Sequence, residues 1–410
     1  MADGDMDVTQ GRLTLGCFAS GIAALALAAS GCSGCRDSSE ADERAEADDV
    51  GVADAAAERE LPPRDDRLSD DEKLAIFDAA FAALEGGDAG AYAGAFSPEG
   101  GLELVDGLPR EELEPGGFVS TLHDALSDLR LRREIFLMSG NSAASLFLLE
   151  GTHDGELWGF EPTGRPVSIV GGEVLHINRQ GEITKAVYYL DQATILAQLG
   201  ARDSRQAPSS EDSRPEPVHV FAERDDASSD NFATFNQTYM RAAGQSDREG
   251  MLEAYAADAV LRDVRRQRGL SGKDAIGRYL SQGFDESPDR RTMIRRQWGA
   301  GDWVVAETLV QATIQNPPQG AADARGERVR TKQLELLRFD EGAIAEHWIV
   351  GNELHRAAAL GLFDSSLLDT DAEEEEGIEE VAEAEAPADE TTDEADDTPR
   401  PGPSSDAGSH

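Results

Sequence analysis

The hydrophobic pattern divides the chain into two stretches that share one order of elements. In the first stretch, Leu74, Phe77 and Phe81 recur at helical spacing and predict a helix over 70–85, with Ser69 as its N-cap. A second helix is predicted at 89–96, then strands at 132–137, 144–151, 166–178 and 183–190, and a closing helix at 193–199. Helices that precede a meander of strands are typical of an α+β domain.

The same order begins again near residue 231. Helices are predicted at 231–243 and from Ser246-Asp247 to 255, and strands at 294–297, 304–314, 328–339 and 344–350, before a last short helix. Asp88 and Asp247 lie 159 positions apart, and further along the offset is 161, as between Gly140 and Gly301. The chain therefore carries two diverged copies of one module, each with N-terminal helices followed by a curved antiparallel sheet.

The last predicted strand of the first copy is apolar on both faces. One parity holds Ile183, Val187 and Tyr189, and the other holds Ala186, Tyr188 and Leu190. A sheet face in contact with water would instead be polar at alternate positions. We therefore expect the outer face to be covered, either by the other copy or by a second chain in a homodimer.

Acidic residues dominate the composition and concentrate outside the two copies. The 410 residues carry a formal net charge of −44. Segment 33–68 holds 12 acidic and 5 basic residues, and segment 365–410 holds 17 acidic residues and 1 basic residue. Such segments bury too little apolar surface to fold, so we predict disorder in both. The acidity also argues against nucleic-acid binding, which needs a basic surface.

The N-terminus has the pattern of a bacterial lipoprotein signal. The apolar stretch Leu13–Ala29 ends in small residues before Cys32, which is the position for cleavage and for a diacylglyceryl group on the sulfur. Ser33 favours the outer membrane, so we expect a lipid-anchored protein of the cell envelope; the alternative is an uncleaved apolar anchor. The predicted boundaries are a signal at 1–31, a disordered tether at 32–68, the copies at 69–200 and 230–364, a linker at 201–229 and a disordered tail at 365–410.

The first copy carries short motifs whose order and spacing are similar to those of the SnoaL-like family of polyketide and ester cyclases. They are Ala125-Leu126-Ser127-Asp128-Leu129, Gly151-Thr152-His153-Asp154-Gly155-Glu156, Pro162-Thr163-Gly164-Arg165, and Leu190-Asp191-Gln192 with Gln198-Leu199-Gly200. The second copy resembles the wider nuclear transport factor 2-like superfamily through Gly272-Lys273-Asp274-Ala275-Ile276 and Gly301-Asp302-Trp303. The resemblance implies two cone-shaped domains, each with an apolar pocket. It also implies the reaction of the family's cyclases, which close a ring by aldol condensation without a metal or cofactor.

The resemblance places the family's acid/base aspartate at Asp191. An apolar pocket disfavours the charged form of a carboxyl group and raises its pKa toward the working pH, as proton transfer at a carbonyl compound requires. Asp191 shares strand parity with Val187 and Tyr189, so it is expected to face such a pocket. The structural alternative is an N-cap of the following helix, and the two roles are compatible.

Further candidates for the pocket rest on residue type. His176 is a candidate to assist Asp191, although a lone histidine on a strand is more often a packed or surface residue. The candidates for pocket lining are Tyr92, His153, Trp158 and Tyr189 in the first copy and Asn352 and Trp348 in the second. Core packing and turn structure are the alternatives for these side chains.

The second copy departs from the family pattern, because at the constant offset Asn352 replaces Asp191 and Leu337 replaces His176. An amide does not exchange a proton as a carboxylate does, so the second copy is not expected to be a cyclase. Arginines are dense between Arg265 and Arg296, and they predict a solvated face or a site for an acidic ligand or for the acidic tail.

Two functions stay open at this point. The first is a cofactor-free acid/base enzyme that acts on a small apolar carbonyl compound in the first copy. The second is a non-catalytic lipoprotein that binds a ligand or a protein at the cell envelope. The chain has no Walker loop, dinucleotide fingerprint, HExxH or nucleophile elbow, and its 7 histidines are scattered, so we expect neither a metal nor a cofactor.

Overall fold

The computed structural model describes residues 68–108, 113–200, 218–221, 226–266 and 268–363. The predicted signal, nearly all of the tether with Cys32, most of the linker and the acidic tail lie outside the described residues. Among the helices within these ranges, none combines the length and the apolarity needed to cross a membrane.

The first repeat places its helices on one face of a mixed sheet. Its elements are α1 (Asp70–Gly86), α2 (Ala89–Gly94), β1 (Phe96–Leu104), α3 (Pro115–Ala125), β2 (Arg130–Ser139), β3 (Ser142–Thr152), β4 (Pro166–Ile177), β5 (Ile183–Tyr189), α4 (Gln192–Leu199) and, from the predicted linker, β6 (Val218–Phe221). The strand order is β1-β5-β4-β3-β2-β6. Strands β2 to β5 form an antiparallel meander, whereas β1 runs parallel to β5 and β6 parallel to β2.

The second repeat follows the same plan. Its elements are α5 (Asp226–Thr234), a π-helical segment (Phe235–Met240), α6 (Arg241–Gly244), α7 (Arg248–Glu253), β7 (Tyr255–Asp263), β8 (Leu270–Ser271), α8 (Lys273–Glu286), β9 (Arg291–Ala300), β10 (Trp303–Thr313), a short 3-10 turn (Ala322–Ala324), β11 (Arg328–Asp340), β12 (Ala343–Gly351) and α9 (Leu354–Ala359). Its strand order is β8-β7-β12-β11-β10-β9. The predicted α+β class with two tandem domains is confirmed, although neither sheet is purely antiparallel, since β7 runs parallel to β12 in the second sheet.

Local signals account for the first helix. The side chain of Ser69 accepts a hydrogen bond from the backbone N–H of Glu72, and Glu72 accepts one from the backbone N–H of Ser69 at 2.8 Å, which completes the predicted capping box. The helix ends where Gly87 adopts a φ of 72°, a conformation that a residue with a Cβ rarely takes. Strand β1 was not predicted, because its glycines and proline interrupt the alternating pattern.

The outer faces of the two sheets cover each other within the one chain. Their shared inter-repeat core contains Val174, Val187 and Tyr189 from the first repeat and Leu336 and Trp348 from the second. Two sheets that stack face to face bury their apolar outward residues in this way. The expectation that the outer face is covered is therefore met by the other repeat.

The closing helix of the second repeat also reaches the core of the first. Leu354 and Ala358 of α9 belong to the cluster that contains Phe77, Phe147 and Tyr188 of the first repeat. Leu354 is fully buried there. Side chains of the second repeat therefore form part of the first repeat's core, in addition to the interface between the two sheets.

Candidate active site

A buried glutamate lies on the helix-covered face of the first sheet. The space between this face and the helices of the first repeat is called the interior of the first cone. Glu173 on β4 is only 1% exposed, and Tyr188 on the neighbouring β5 donates to its Oε2 at 3.0 Å. The hydroxyl oxygen of Tyr188 lies 2.6 Å from that of Tyr92 on α2. Because a phenol has one hydrogen, Tyr92 donates to Tyr188 whenever Tyr188 donates to Glu173. The three side chains form one buried chain from α2 to the sheet.

The other oxygen of Glu173 accepts no hydrogen bond within the described residues, although it lies within ion-pair distance of Arg133. Oε1 is buried and has no hydrogen-bond partner among the described residues, and the same holds for Nε of Arg133. Nη2 of Arg133 lies 3.9 Å from this Oε1. Burial raises the pKa of Glu173, and the positive charge of Arg133 offsets only part of this effect. Buried polar atoms are nearly always hydrogen-bonded, so two neighbouring ones without a hydrogen bond are a feature that calls for a functional explanation.

Aromatic rings fill the interior around this carboxyl group. The ring of Phe118 lies 4.7 Å from that of Tyr188, and the ring of Phe147 lies 6.4 Å from it. The guanidinium carbon of Arg133 lies 4.2 Å from the ring centre of Phe81. Such surroundings offer few dipoles to a negative charge, which is the physical cause of the raised pKa of Glu173.

The second repeat has a buried carboxylate in the same place, with different partners. Oε1 of Glu335 on β11 accepts from the hydroxyl of Thr308 at 2.6 Å, and Oε2 accepts from Nε2 of His347 at 3.0 Å. Nδ1 of His347 lies 2.6 Å from the hydroxyl of Tyr255. Burial alone would raise the pKa of Glu335, but the hydrogen bonds from His347 and Thr308 outweigh burial, and the pKa is lowered.

Glu173 and Glu335 occupy equivalent positions in the two sheets. Glu173 pairs in register with Ser145, and Glu335 pairs with Ala306, which lies 161 positions after Ser145. The sequence analysis missed both glutamates. A signal existed, because each is a carboxylate inside a strand whose immediate neighbours on one or both sides are apolar and buried.

Asp191 lies between the two repeats instead of facing the interior of the first cone. Its Oδ2 accepts from the hydroxyl of Thr194 at 2.5 Å, and its Oδ1 accepts from the backbone N–H of Glu353 in the second repeat at 3.1 Å. It occupies the N-cap position of α4, but its side chain accepts no N–H of that helix. Burial, followed by the charge of Glu353, raises the pKa of Asp191.

Asp191 keeps the parity of Val187 and Tyr189, but this parity faces the inter-repeat core, so the predicted direction of Asp191 is wrong. In the pairing of β4 with β5, Ile183 lies opposite Ile177 and Lys185 lies opposite His176, so Thr184 is an extra residue. Ile183 therefore faces the first cone together with Tyr188, whereas Tyr189 faces the inter-repeat core. Grouping Ile183 with Tyr189 and Asp191 assumed an uninterrupted alternation along the strand.

His176 also lies on the outer face of its sheet. Its Nδ1 is 2.8 Å from the hydroxyl of Ser142, and its Nε2 is 2.9 Å from Nη1 of Arg296 in the second repeat. Burial and the positive charges of Arg296 and Lys185 lower the pKa of His176 to about 4. Its counterpart is Arg338 rather than Leu337, because Arg338 pairs with Glu346 as His176 pairs with Lys185.

Three further pocket candidates belong to the boundary between the repeats. The hydroxyl of Tyr189 donates to Oε2 of Glu307 at 2.9 Å across this boundary. Trp348 lies in the inter-repeat core. Asn352 donates to the backbone carbonyl of Asp106 at 2.9 Å. These three side chains lie between the repeats, so the expectation that they line the interior of a cone is wrong.

The remaining candidates lie in the first repeat. Tyr92 lies in the interior beside Tyr188. His153 is fully buried at the turn after β3, where its Nδ1 accepts from the backbone N–H of Thr163 at 3.2 Å and burial lowers its pKa. Its Nε2 has no partner among the described residues. Trp158 packs against the first core with a φ of 52°.

Two further observations concern other chemistry. Within the described ranges, no group of three or more histidine, cysteine or carboxylate side chains is placed to hold a metal ion. A surface cleft of about 610 Å³ lies on the second sheet and is lined by Arg262, Arg338 and Glu346 among others. Neither feature adds a group to the interior of the first cone.

Comparison with known proteins identifies a family. The sequence profile of the SnoaL-like polyketide cyclase family matches residues 114–199 and 233–360. A putative hydroxylase, AclR, from Streptomyces galilaeus is 23% identical, with 33% of this chain and 98% of that chain covered and a TM-score of 0.30. A putative SnoaL-like polyketide cyclase from Jannaschia sp. CCS1 is 16% identical, with 34% and 96% covered and a TM-score of 0.31.

A putative isomerase from Bacillus subtilis is 16% identical over 33% of this chain and 96% of its own, with a TM-score of 0.29. No curated protein matches the sequence. The family profile covers both repeats and more than half of the chain. The protein therefore belongs to the SnoaL-like polyketide cyclase family.

Proposed function

We propose that the first repeat is a cofactor-free acid/base site for a small apolar carbonyl compound, and that Glu173 rather than Asp191 is its proton acceptor and donor. The observation that carries the proposal is the buried Oε1 of Glu173, which accepts no hydrogen bond within the described residues and lies inside an aromatic interior. A raised pKa brings a carboxyl group closer to neutral pH, where it both takes up and returns a proton. Asp191 lacks this setting, because its oxygens are held by Thr194 and Glu353.

The chemistry follows from the positions of the charges. Oε1 of ionised Glu173 takes a proton from the carbon next to the carbonyl, and the electron pair of that C–H bond moves to form an enolate. The guanidinium of Arg133, 3.9 Å from Oε1, supplies positive charge near the developing oxyanion. Return of the proton at another carbon isomerises the substrate, and attack of the enolate carbon on a second carbonyl group closes a ring.

A second function has its own supporting observation. Phe118, Phe147 and Tyr188 pack closely in the interior of the first cone. An interior occupied by its own side chains favours a binding or scaffold module that performs no turnover. Under this alternative, which keeps the lipoprotein anchor at Cys32, the repeats present their surfaces to a partner at the cell envelope.

The experiment uses 2-tetralone, an apolar ketone with exchangeable α protons. The full chain is incubated with it in D2O, and loss of the α-proton signal is followed by NMR. We expect acceleration by the wild type and a loss of about 100-fold or more in Glu173→Gln, because an amide cannot accept the proton. The matched control is Glu335→Gln, which removes the equivalent carboxylate from the second repeat and leaves the exchange in place.

Other outcomes point elsewhere. Binding of 2-tetralone without exchange by the wild type supports the binding module. Loss of exchange in Asp191→Asn with full activity in Glu173→Gln returns the role to Asp191. Circular dichroism of each variant shows that the fold is retained before its rate is interpreted.

A further inference from the structure

The two sheets differ at one edge. In the first sheet, β6 adds a parallel strand to β2, with Val218 beside Ile135 and Phe221 beside Met138. The equivalent edge strand of the second sheet is β9, and within the described residues no strand pairs with its free edge. β6 comes from the chain that follows the closing helix of the first repeat, not from the repeat's own meander.

The chain that follows the closing helix of the second repeat is the acidic segment 365–410, and its spacing matches. Val218 follows Gly200 by 18 positions, and Glu379 follows Gly361 by the same 18 positions. The segment at this place is Ile378-Glu379-Glu380-Val381-Ala382. Ile378 and Val381 are the only isoleucine and valine in 365–410, and β-branched residues are those that strands favour.

The turn glycines of the two sheets also differ in whether a strand lies against them. A Cβ on Gly301, in the turn between β9 and β10, would meet Val220 of β6 at 3.2 Å. A Cβ on Gly140, the equivalent turn glycine between β2 and β3, would meet no atom within 4 Å. The two sheets pack against each other through equivalent faces. A strand added to β9 would therefore lie against Gly140 in the way that β6 lies against Gly301.

The surface of β9 suits an acidic strand. Arg291, Arg295 and Arg296 are exposed along it, and Met293 is the one large hydrophobic side chain classed as exposed among the described residues, at 41%. Charged side chains commonly protect a sheet edge from aggregation, but an exposed methionine beside them does not serve that purpose. In the register that β6 adopts on β2, Glu379 would lie beside Arg296.

We propose that the free edge of β9 binds residues 378–382 of the same chain as an added parallel strand. Backbone hydrogen bonds supply the affinity, and the arginines of β9 select the acidic segment over a neutral one. The linkage within one chain gives the segment an effective concentration on the order of millimolar, so modest affinity is enough. This inference does not depend on the proposed chemistry of Glu173.

Hydrogen exchange of β9 tests the proposal. The full chain is compared with a chain that ends at residue 364, and exchange is read on peptides that cover 291–300. We expect the β9 amides to exchange about tenfold more slowly in the full chain. A synthetic peptide of residues 372–388 should bind the shortened chain and restore the protection, and it should bind more weakly at high salt, because salt screens the arginine–glutamate pairs.

Val381→Pro in the full chain is the matched variant. It keeps every charge of the segment but removes a backbone donor and disfavours strand pairing, so we expect β9 to exchange as in the shortened chain. Equal β9 exchange in the full and shortened chains would overturn the proposal. Full protection of the β9 amides in Val381→Pro would overturn the added strand and show that the segment contacts β9 through its charges alone. Protection that rises with protein concentration together with a dimer in sedimentation would assign the edge to a second copy instead.

Discussion

At the scale of single residues, Glu173 and Glu335 show that a position in a fold does not fix the direction in which the pKa of the group there is shifted. The two carboxyl groups lie at equivalent places, yet the pKa of one is raised and that of the other is lowered. The difference lies in the donors that reach them. Two donors satisfy both oxygens of Glu335, whereas one oxygen of Glu173 accepts no hydrogen bond within the described residues.

This contrast predicts opposite pH dependences for two amide variants. A raised folded-state pKa means that ionisation of Glu173 costs stability once the pH exceeds the unfolded value of about 4.3. Relative to the wild type, Glu173→Gln should therefore gain stability between about pH 4 and pH 8. A urea unfolding series of the full chain across this range measures the difference.

Glu335→Gln is the matched comparison. A lowered folded-state pKa contributes stability above the unfolded value, and this contribution is lost as the pH falls through the folded pKa. The variant should therefore be less stable than the wild type near pH 7, with a deficit that narrows below about pH 4. Parallel pH profiles for the two variants would contradict the opposite directions of the two pKa shifts.

At the same scale, the sequence did not single out the carboxyl group to which Tyr188 and Tyr92 are linked. The resemblance to a family drew attention to Asp191, and strand alternation directed that side chain into the cone. The parity of Val187, Tyr189 and Asp191 faces the other repeat instead, and the extra residue at Thr184 places Ile183 on the opposite face from them. A bulge of one residue depends on how two strands pair, and a single sequence does not display that pairing.

At the scale of elements, the strands of both meanders were predicted within a few residues, because β2 to β5 and β9 to β12 are rich in apolar and β-branched residues. β1 and β7 were missed. Neither alternates cleanly between apolar and polar residues, and each is held by parallel pairing with the last strand of its own meander. Pairing between residues so far apart in sequence leaves no local signal.

The hydrogen bond from Tyr189 on β5 to Glu307 on β10 connects the two repeats, and its contribution to stability can be predicted. Tyr189→Phe leaves Oε2 of a largely buried carboxylate without its donor, and Oε1 of Glu307 already lacks a hydrogen bond among the described residues. We expect a loss of about 1–3 kcal/mol in the free energy of unfolding. Urea unfolding of the single variants and of Tyr189→Phe with Glu307→Gln forms a double-mutant cycle, and a coupling energy near zero would show that the bond contributes nothing.

At the scale of the whole molecule, the inter-repeat core makes the two domains one folding unit. Val174 and Val187 from one sheet pack with Leu336 and Trp348 from the other. Separation of the repeats would expose the apolar outer faces of both sheets to water. The repeats should therefore stay together until each of them unfolds. The apolar outer strand in the sequence was a sufficient signal for a covered face, but it could not decide between an internal and an external partner.

A dissection experiment tests this unity. Residues 68–200 alone should lack a cooperative unfolding transition, because that fragment exposes its outer face and lacks Leu354. Residues 68–363 should unfold in one transition in urea, with coincident fluorescence and circular dichroism signals. A cooperative transition of the short fragment as a monomer would show that the first repeat is independent of the second.

The anchor at Cys32 is a prediction about the whole chain in its cell. Expressed in a Gram-negative bacterium that is fed an alkyne-labelled fatty acid, the wild type should carry the label and sediment with membranes. Cys32→Ala should lose both properties, whereas Cys35→Ala, the matched control three positions away, should retain them. Label on Cys32→Ala, or a wild type that stays soluble and unlabelled, would remove the lipoprotein assignment.

The place of α9 has a consequence for biosynthesis. When a ribosome has synthesised the first repeat as far as Gly200, the helix that contributes Leu354 and Ala358 to that repeat's core is more than 150 codons away. The nascent first repeat therefore waits with part of its apolar core uncovered while the second is translated. A chaperone that binds exposed apolar chain should hold this intermediate, and a stop codon placed before residue 354 should lengthen that association.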